Sequence, residues 1–127
     1  MENSLLKIRI AMLWIFMAVA SIIHYVLVSS SDLQYFQTEI EKGLGFATFN
    51  VVFLLVILVM AFLTVTLKDV ANRRVNLVLG GIFTIINIAH IFGCPVARSS
   101  AHQIIIVLST IVVSILIVWY AWKWPKD

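Results

Sequence analysis

Four long apolar runs divide this sequence, and they limit its possible folds more than any other feature. The runs cover residues 10–28, 46–67, 75–93 and 104–122. A helix needs about 20 mostly apolar residues to cross the roughly 30 Å hydrocarbon layer of a bilayer, and each run is long enough. Because lipid offers backbone N–H and C=O groups no partners, and because the alternation of a barrel strand is absent, we expect four transmembrane helices.

The composition excludes the soluble classes. Of the 127 residues, 62% are hydrophobic and 12% are charged, whereas soluble domains average about 45–50% apolar and about 25% charged residues. The 5 Gly, 2 Pro and single Cys exclude collagen and a disulfide scaffold. The first run exceeds the roughly 7–15 apolar residues of a secretory signal, so we expect it to be retained. The sequence predicts an all-α fold, a single membrane domain over 1–127 that forms a four-helix bundle.

The positive charges predict an orientation. Cations near the ends of spans are retained on the cytoplasmic side. Lys42 and Arg98 fall on one side of the four runs, and the other seven cations fall on the opposite side: Lys7, Arg9, Lys68, Arg73, Arg74, Lys123 and Lys126. We therefore expect a multi-pass protein of a bacterial inner membrane with both termini cytoplasmic. The net charge of +3 is explained by topology and lipid contacts, so we expect a lipid bilayer and no nucleic acid as partner.

The segment 29–45 carries the signals of a further helix. Ser31 followed by Gln34 fits a capping box, Asp32 would lie in the first turn, and Gly43 would end the helix. Its apolar residues recur at helical spacing: Leu33, Phe36, Ile40 and Leu44. We expect a short interfacial amphipathic helix in this outer loop. In the second outer loop, Pro95 should end the third span, because proline lacks a backbone donor.

The third run separates polar from aliphatic residues. At 100° per residue one face carries Asn76, Gly80, Thr84, Asn87, His90 and Cys94, and the opposite face carries Val78, Ile82, Ile85 and Ala89. Polar side chains at membrane depth usually face the bundle interior. We expect the polar face to point inward, and Gly80-Gly81 to allow close helix packing.

Polar residues within the four runs, or directly beside their outer ends, lie at similar depth: Ser21, His24, Asn50, Asn87, His90, Cys94, His102 and Gln103. One interpretation is structural, with interhelical hydrogen bonds of roughly 0.6 kcal/mol each fixing the register. The other is functional, with three alternatives: a metal or haem site, protonation-sensitive gating, or a binding site for a small amphiphile such as a lipid or quinone. The candidate ligand-binding residues are Ser21, His24, Asn50, Thr84, Asn87, His90 and Gln103.

Four of the outer polar residues are candidate metal ligands: His24, His90, Cys94 and His102. Imidazoles and a thiolate bind transition metals, and two imidazoles from facing helices can hold a haem iron. His90 and Cys94 share a helical face at a spacing of four residues. Because no CxxC, HExxH or CxxCH motif accompanies them, we expect no cofactor, with haem or a transition metal as the alternative.

The remaining patterns argue against an enzyme. None of the four runs contains Asp or Glu, the usual carboxylates of proton-coupled transporters and intramembrane aspartyl proteases. A single Cys cannot run dithiol chemistry, although it can link two copies, and the serines lack a GxSxG context. The leading prediction is a non-enzymatic membrane protein that acts as a homo-oligomer or as an accessory subunit of a larger membrane assembly. The alternatives are a haem- or metal-binding protein and a small-molecule transporter lined by the third-span polar face.

Three segments carry a family resemblance: LWIF at 13–16, LKDVANRRVN at 67–76 with Gly80-Gly81 after it, and IVWYAWKW at 117–124. Together with the span layout they resemble a family of small bacterial four-span proteins known only as a domain of unknown function. The resemblance implies a prokaryotic inner-membrane protein and supplies no activity. Members of that family carry acidic residues inside their spans, and this chain departs from that pattern.

Overall fold

The computed structural model describes residues 2–125 as helices joined by short connections. The helices are α1 (Glu2–Ser31), α2 (Leu33–Glu41), α3 (Gly45–Thr66), α4 (Asp69–Gly93) and α5 (Ala101–Lys123), with a 3₁₀ turn at Pro95–Arg98. Four of them, α1, α3, α4 and α5, are long enough and apolar enough to cross a membrane. The chain is therefore an all-α, multi-pass membrane protein, as the four apolar runs predict.

Two of the membrane helices extend well beyond the apolar runs, because polar contacts hold their extra turns together. The α1 helix begins at Glu2, and α4 begins at Asp69. The Lys7 ammonium donates to the Leu67 carbonyl at the end of α3 (2.9 Å) and pairs with the Asp69 carboxylate (2.9 Å), which also accepts from the Asn3 amide. These contacts satisfy the last turn of α3 and the first turn of α4. We call this the terminal end of the bundle.

The interfacial helix α2 forms where the sequence predicts it, but the predicted capping box is wrong. Ser31 is the last residue of α1, and Asp32 occupies the N-cap of α2 without a side-chain capping bond. The reason is that α1 runs almost directly into α2: the Asp32 N–H still bonds to the Val28 carbonyl (3.1 Å), which leaves no room for an N-cap turn. Gly43 does end the segment, with φ +122°.

The helices are arranged in the order α3, α1, α5, α4, so that α1 and α5 form the centre of the bundle. The α1 helix packs along α3 and α5, and α4 packs along α5. Although consecutive in the chain, α3 and α4 contact each other little. Gly80 allows the close approach of α4 to α5, because a Cβ built there would lie 3.0 Å from Ile117 Cγ2.

The α4 helix presents the faces that the sequence predicts. Asn76, Gly80 and Asn87 are buried, and Val78, Ile82, Ile85 and Ala89 are exposed. The buried face also extends one turn further toward the terminal end, to Asn72. In a membrane these exposed aliphatic side chains contact lipid, and the amides contact other helices.

A buried amide network joins α1, α3 and α4 in the half of the bundle nearer the terminal end. Trp14 Nε1 donates to Asn76 Oδ1 (2.7 Å), and Asn76 Nδ2 donates to Asn72 Oδ1 (2.7 Å). Asn72 in turn donates to the Thr64 carbonyl, and the Thr64 hydroxyl donates to the Met60 carbonyl. The mutual satisfaction of these groups makes the network structural, because an unpaired polar group in a membrane interior is costly.

Candidate functional site

Two histidines meet at the end of the bundle opposite the terminal end, which we call the histidine end. His24 lies on α1, 17 residues after Lys7, which is about 26 Å along the helix axis. His90 lies on the last turn of α4. Their Nε2 atoms are 3.1 Å apart, and their ring planes are nearly perpendicular, at 87°. One ring nitrogen therefore points directly at the other.

Gln103 on α5 determines which nitrogen of His24 carries the proton. Its Oε1 lies 2.6 Å from His24 Nδ1, and its side chain is 0% exposed. A carbonyl oxygen only accepts hydrogen bonds, so Nδ1–H is the donor, and in the neutral ring Nε2 carries a free lone pair. His90 Nε2–H donates to that lone pair in the absence of another partner. A histidine fixed in this way by an outer acceptor is typical of metal ligands.

Cys94 brings a sulfur atom to the same place. It follows the last residue of α4, because Pro95 ends that helix as the sequence predicts, and it caps the helix through its N–H bond to the His90 carbonyl. The buried Val96 and Ala97 anchor the 3₁₀ turn that follows. One donor atom each from His24, His90 and Cys94 lies within 4.8 Å of the other two.

The Cys94 thiol has a polar environment despite its partial burial. Burial raises the pKa of Cys94, whereas hydrogen bonding with the Ala97 and Val96 backbone and with Tyr35 acts to lower it. The Tyr35 hydroxyl lies 3.8 Å from Sγ. Burial and the neighbouring Cys94 raise the pKa of Tyr35. Tyr35 and Cys94 are therefore neighbours within the reach of a weak hydrogen bond, in which either group can be the donor.

A cavity of about 240 Å³ surrounds these donors. Helices α1, α2, α3 and α4 supply its lining: His24, Tyr25, Val28, Tyr35, Phe46, Phe49, Asn50, His90, Gly93 and Cys94. The α2 helix is held over the cavity by Phe36, whose ring packs against Tyr25 (5.4 Å) and Phe46 (6.0 Å). A second, mostly apolar cavity of about 330 Å³ lies between α1 and α3 and shares Tyr25 and Asn50 with the first.

His102, the fourth candidate metal ligand, lies outside the cluster, so its inclusion is wrong. It is exposed, and its Nε2 contacts the Ser100 hydroxyl (3.1 Å). Gln103 is the next residue and points into the bundle, which turns His102 about 100° away around α5. The sequence places His24, His90 and His102 at similar predicted depth, but the structure shows that His102 faces away from the other two histidines.

The other predicted ligand-binding residues divide between the cavities and the packed core. Asn50 and Ser21 line the apolar cavity, and each also bonds to a carbonyl of its own helix. Asn87 is buried and donates to the Thr110 carbonyl of α5 (3.2 Å). The Thr84 hydroxyl donates to the Gly80 carbonyl. The structure therefore brings His24, His90 and Gln103 together, with Asn50 at the edge of their cavity, and leaves Thr84 and Asn87 outside it.

Sequence reasoning missed Tyr35 at the site and Asn72 in the amide network. Asn72 precedes Asn76 by one helical turn, so extending the polar face of α4 by one turn identifies it. Tyr35 has no comparable signal, since its place beside Cys94 depends on how α2 folds over the bundle.

Comparison with protein-family models, curated protein sequences and solved structures found no match to this chain.

Proposed function

We propose that this membrane protein binds one transition-metal ion at the histidine end of its bundle, through His24, His90 and Cys94. The observation that carries the proposal is the convergence of two imidazole nitrogens and one sulfur within 4.8 Å, from two helices and the turn that follows one of them. Imidazole and thiolate together are typical ligands of zinc and copper.

The distances between the donor atoms are compatible with one transition-metal ion bound at normal metal–ligand bond lengths. With metal–nitrogen bonds of about 2.0–2.1 Å and metal–sulfur bonds of about 2.3 Å, tetrahedral ligands lie about 3.3 Å (N to N) and about 3.6 Å (N to S) apart. The two Nε2 atoms are 3.1 Å apart. Small side-chain rotations therefore suffice to close the three donors around one ion.

The Gln103 contact supports the same proposal. Ligating histidines usually donate their second ring N–H to a carbonyl or carboxylate, which fixes the tautomer and the ring orientation. His24 makes such a contact through Nδ1 to a fully buried acceptor. Its remaining nitrogen, Nε2, is then the one that faces His90.

The geometry favours a single ion over haem. Axial nitrogens about 2 Å from a haem iron stand on opposite faces of the porphyrin, about 4 Å apart. Here the two nitrogens are 3.1 Å apart and the rings meet edge to face. The cavity of about 240 Å³ is also small for a porphyrin.

The metal content of the purified protein tests the proposal directly. The protein is purified in mild detergent from cells supplied with zinc and copper, and the metal per chain is determined by mass spectrometry. We expect about one ion per chain in the wild type. We expect background content in His90→Ala and in Cys94→Ser, since each removes a ligand.

His102→Ala is the matched control, because it removes an exposed imidazole near the site that is not part of the cluster. We expect this variant to keep the full metal content. Equal content in all variants would contradict the proposed ligands, and a metal-free wild type after loading would contradict the function. A Soret absorption band lost in His90→Ala would favour haem.

The Gln103 contact gives a second prediction. Replacing Gln103 with Met removes the acceptor for His24 Nδ1–H at similar volume, and we expect metal affinity to fall about tenfold. Gln103→Glu keeps an acceptor oxygen, so its metal affinity should not fall below that of the wild type. Competition with a chromophoric chelator measures both constants. If Gln103→Met and Gln103→Glu lost equal amounts of metal affinity, Gln103 would act through packing alone.

The other roles stay predictions. Assembly with further copies or with a larger membrane complex, transport along the polar face of α4, location in a bacterial inner membrane and cytoplasmic termini rest on sequence patterns. The proposal of a metal site is compatible with each of them.

A further inference from the structure

We infer that the metal at the histidine end is monovalent copper, Cu(I), rather than a divalent ion. This inference rests on the proposed function, and it names the class of ion that the His24, His90 and Cys94 donors select. It depends on the charge of the donor set and on the surroundings of the cavity.

The donor set supplies one negative charge. His24 ligates as a neutral imidazole, because its Nδ1–H is held by Gln103 and only Nε2 has a free lone pair. His90 likewise ligates as a neutral ring, and Cys94 ligates as a thiolate. A monovalent cation gives a site with no net charge, whereas Zn²⁺ or another divalent ion leaves one excess positive charge.

The surroundings offer little to balance an excess charge. Of the residues that the structure describes as lining the cavity, none carries a carboxylate, and most of those that are not proposed ligands are aromatic or aliphatic. Glu39 is the acidic group that acts on Tyr35, and it already pairs with Lys42 on the outside of α2. His24, His90 and Cys94 are each partly buried, and a net charge on partly buried ligands is unfavourable unless it is paired. The neutral Cu(I) site avoids this penalty.

The number of donors leads to the same ion. Three donors converge among the residues that the structure describes; three donors suffice for Cu(I), whereas tetrahedral zinc would take a fourth ligand, such as water, from outside the cluster. Among the other polar side chains of the cavity, Asn50 Nδ2 donates to the Phe46 carbonyl, and the Tyr35 oxygen lies 3.8 Å from the sulfur. A soft thiolate with two imidazoles suits Cu(I), which needs no fourth ligand.

Metal competition under anaerobic, reducing conditions tests the inference. Purified full-length protein is titrated with Cu(I) in the presence of bicinchoninate, which forms a coloured Cu(I) complex, and separately with Zn²⁺ against a chromophoric zinc chelator. We expect about one Cu(I) per chain to be withheld from bicinchoninate, and a 100-fold excess of Zn²⁺ not to displace it. Cys94→Ser should lose this binding, and His102→Ala should keep it.

The outcomes separate the inference from the function it rests on. Displacement of Cu(I) by Zn²⁺, with zinc binding lost in Cys94→Ser, would overturn the choice of copper and leave the metal site standing. Retention of neither ion by folded wild-type protein would overturn both.

Asn50→Asp tests the charge argument itself, because it adds a carboxylate to the cavity lining without touching a ligand. We expect zinc affinity to rise at least about tenfold in this variant, while Cu(I) affinity changes little. An unchanged zinc affinity in a variant that elutes as a single folded species would contradict the charge argument and overturn the inference.

Discussion

Replacing Trp14 with alanine is expected to lower the free energy of unfolding by about 3 kcal/mol, the largest effect of any substitution considered for this protein. Trp14 is 0% exposed at the centre of the core, and its ring meets Phe83 edge to face at 5.3 Å. The expected loss is at the lower end of the range for buried tryptophan in soluble proteins. The reason is that a side chain buried in a membrane protein gains packing and a hydrogen bond, but little from leaving water.

The Trp14 prediction is measured by equilibrium unfolding in mixed micelles of a mild and a denaturing detergent. Trp122→Ala is the matched control: this tryptophan is 65% exposed, and its loss should change stability by no more than about 0.5 kcal/mol. Trp14→Phe separates packing from hydrogen bonding, because it keeps an aromatic ring but leaves Asn76 Oδ1 without the indole donor. If the Trp14→Ala and Trp122→Ala variants had similar free energies of unfolding, Trp14 would not lie in the buried core.

Replacing Gly80 with leucine is expected to destabilise the protein by about 2–3 kcal/mol. A Cβ at this position would lie 3.0 Å from Ile117 Cγ2 and 3.1 Å from Val118 Cγ2, so that the rest of a leucine side chain would force α4 away from α5. The same displacement would move Asn87 from the Thr110 carbonyl, 3.2 Å away on α5. The resulting loss should be visible as a lower melting temperature in detergent.

Gly81→Leu is the control for Gly80→Leu, with the same residue types one position along the same helix. No heavy atom lies within 4 Å of a Cβ built at Gly81. This variant should therefore unfold like the wild type, or slightly later, since glycine is a poor helix former. If both variants were equally unstable, the cause would lie in the helix itself and not in the α4–α5 contact.

Much of the fold follows from sequence patterns that depend on a single helix. The length of each apolar run predicts a span, and the distribution of Asn76, Asn87, Val78 and Ile85 around α4 predicts which face is buried. Pro95 and Gly43 end their segments for reasons of backbone chemistry alone. These predictions succeed because the bilayer imposes the same length and polarity on every helix that crosses it.

The site is predicted less completely, because it depends on how helices are rotated and ordered. His24, His90 and Cys94 are correctly grouped by depth, and the same argument wrongly adds His102. Gln103 is identified as polar and near the outer end, but its role as the acceptor for His24 depends on the packing of α5 against α1. Tyr35 enters the site only because α2 lies across the cavity.

The pattern of residues along the chain is enough to predict that four helices are long and apolar enough to cross a membrane, that a short amphipathic helix follows the first, and that the buried face of α4 carries Asn76 and Asn87. Each of these properties depends on a single helix and the solvent around it. The order of the helices, α3, α1, α5, α4, and the convergence of His24, His90 and Cys94 without His102 depend on how the helices pack. Lipid distinguishes polar from apolar faces but does not distinguish one neighbouring helix from another, so the choice of neighbour depends on close packing and interhelical hydrogen bonds.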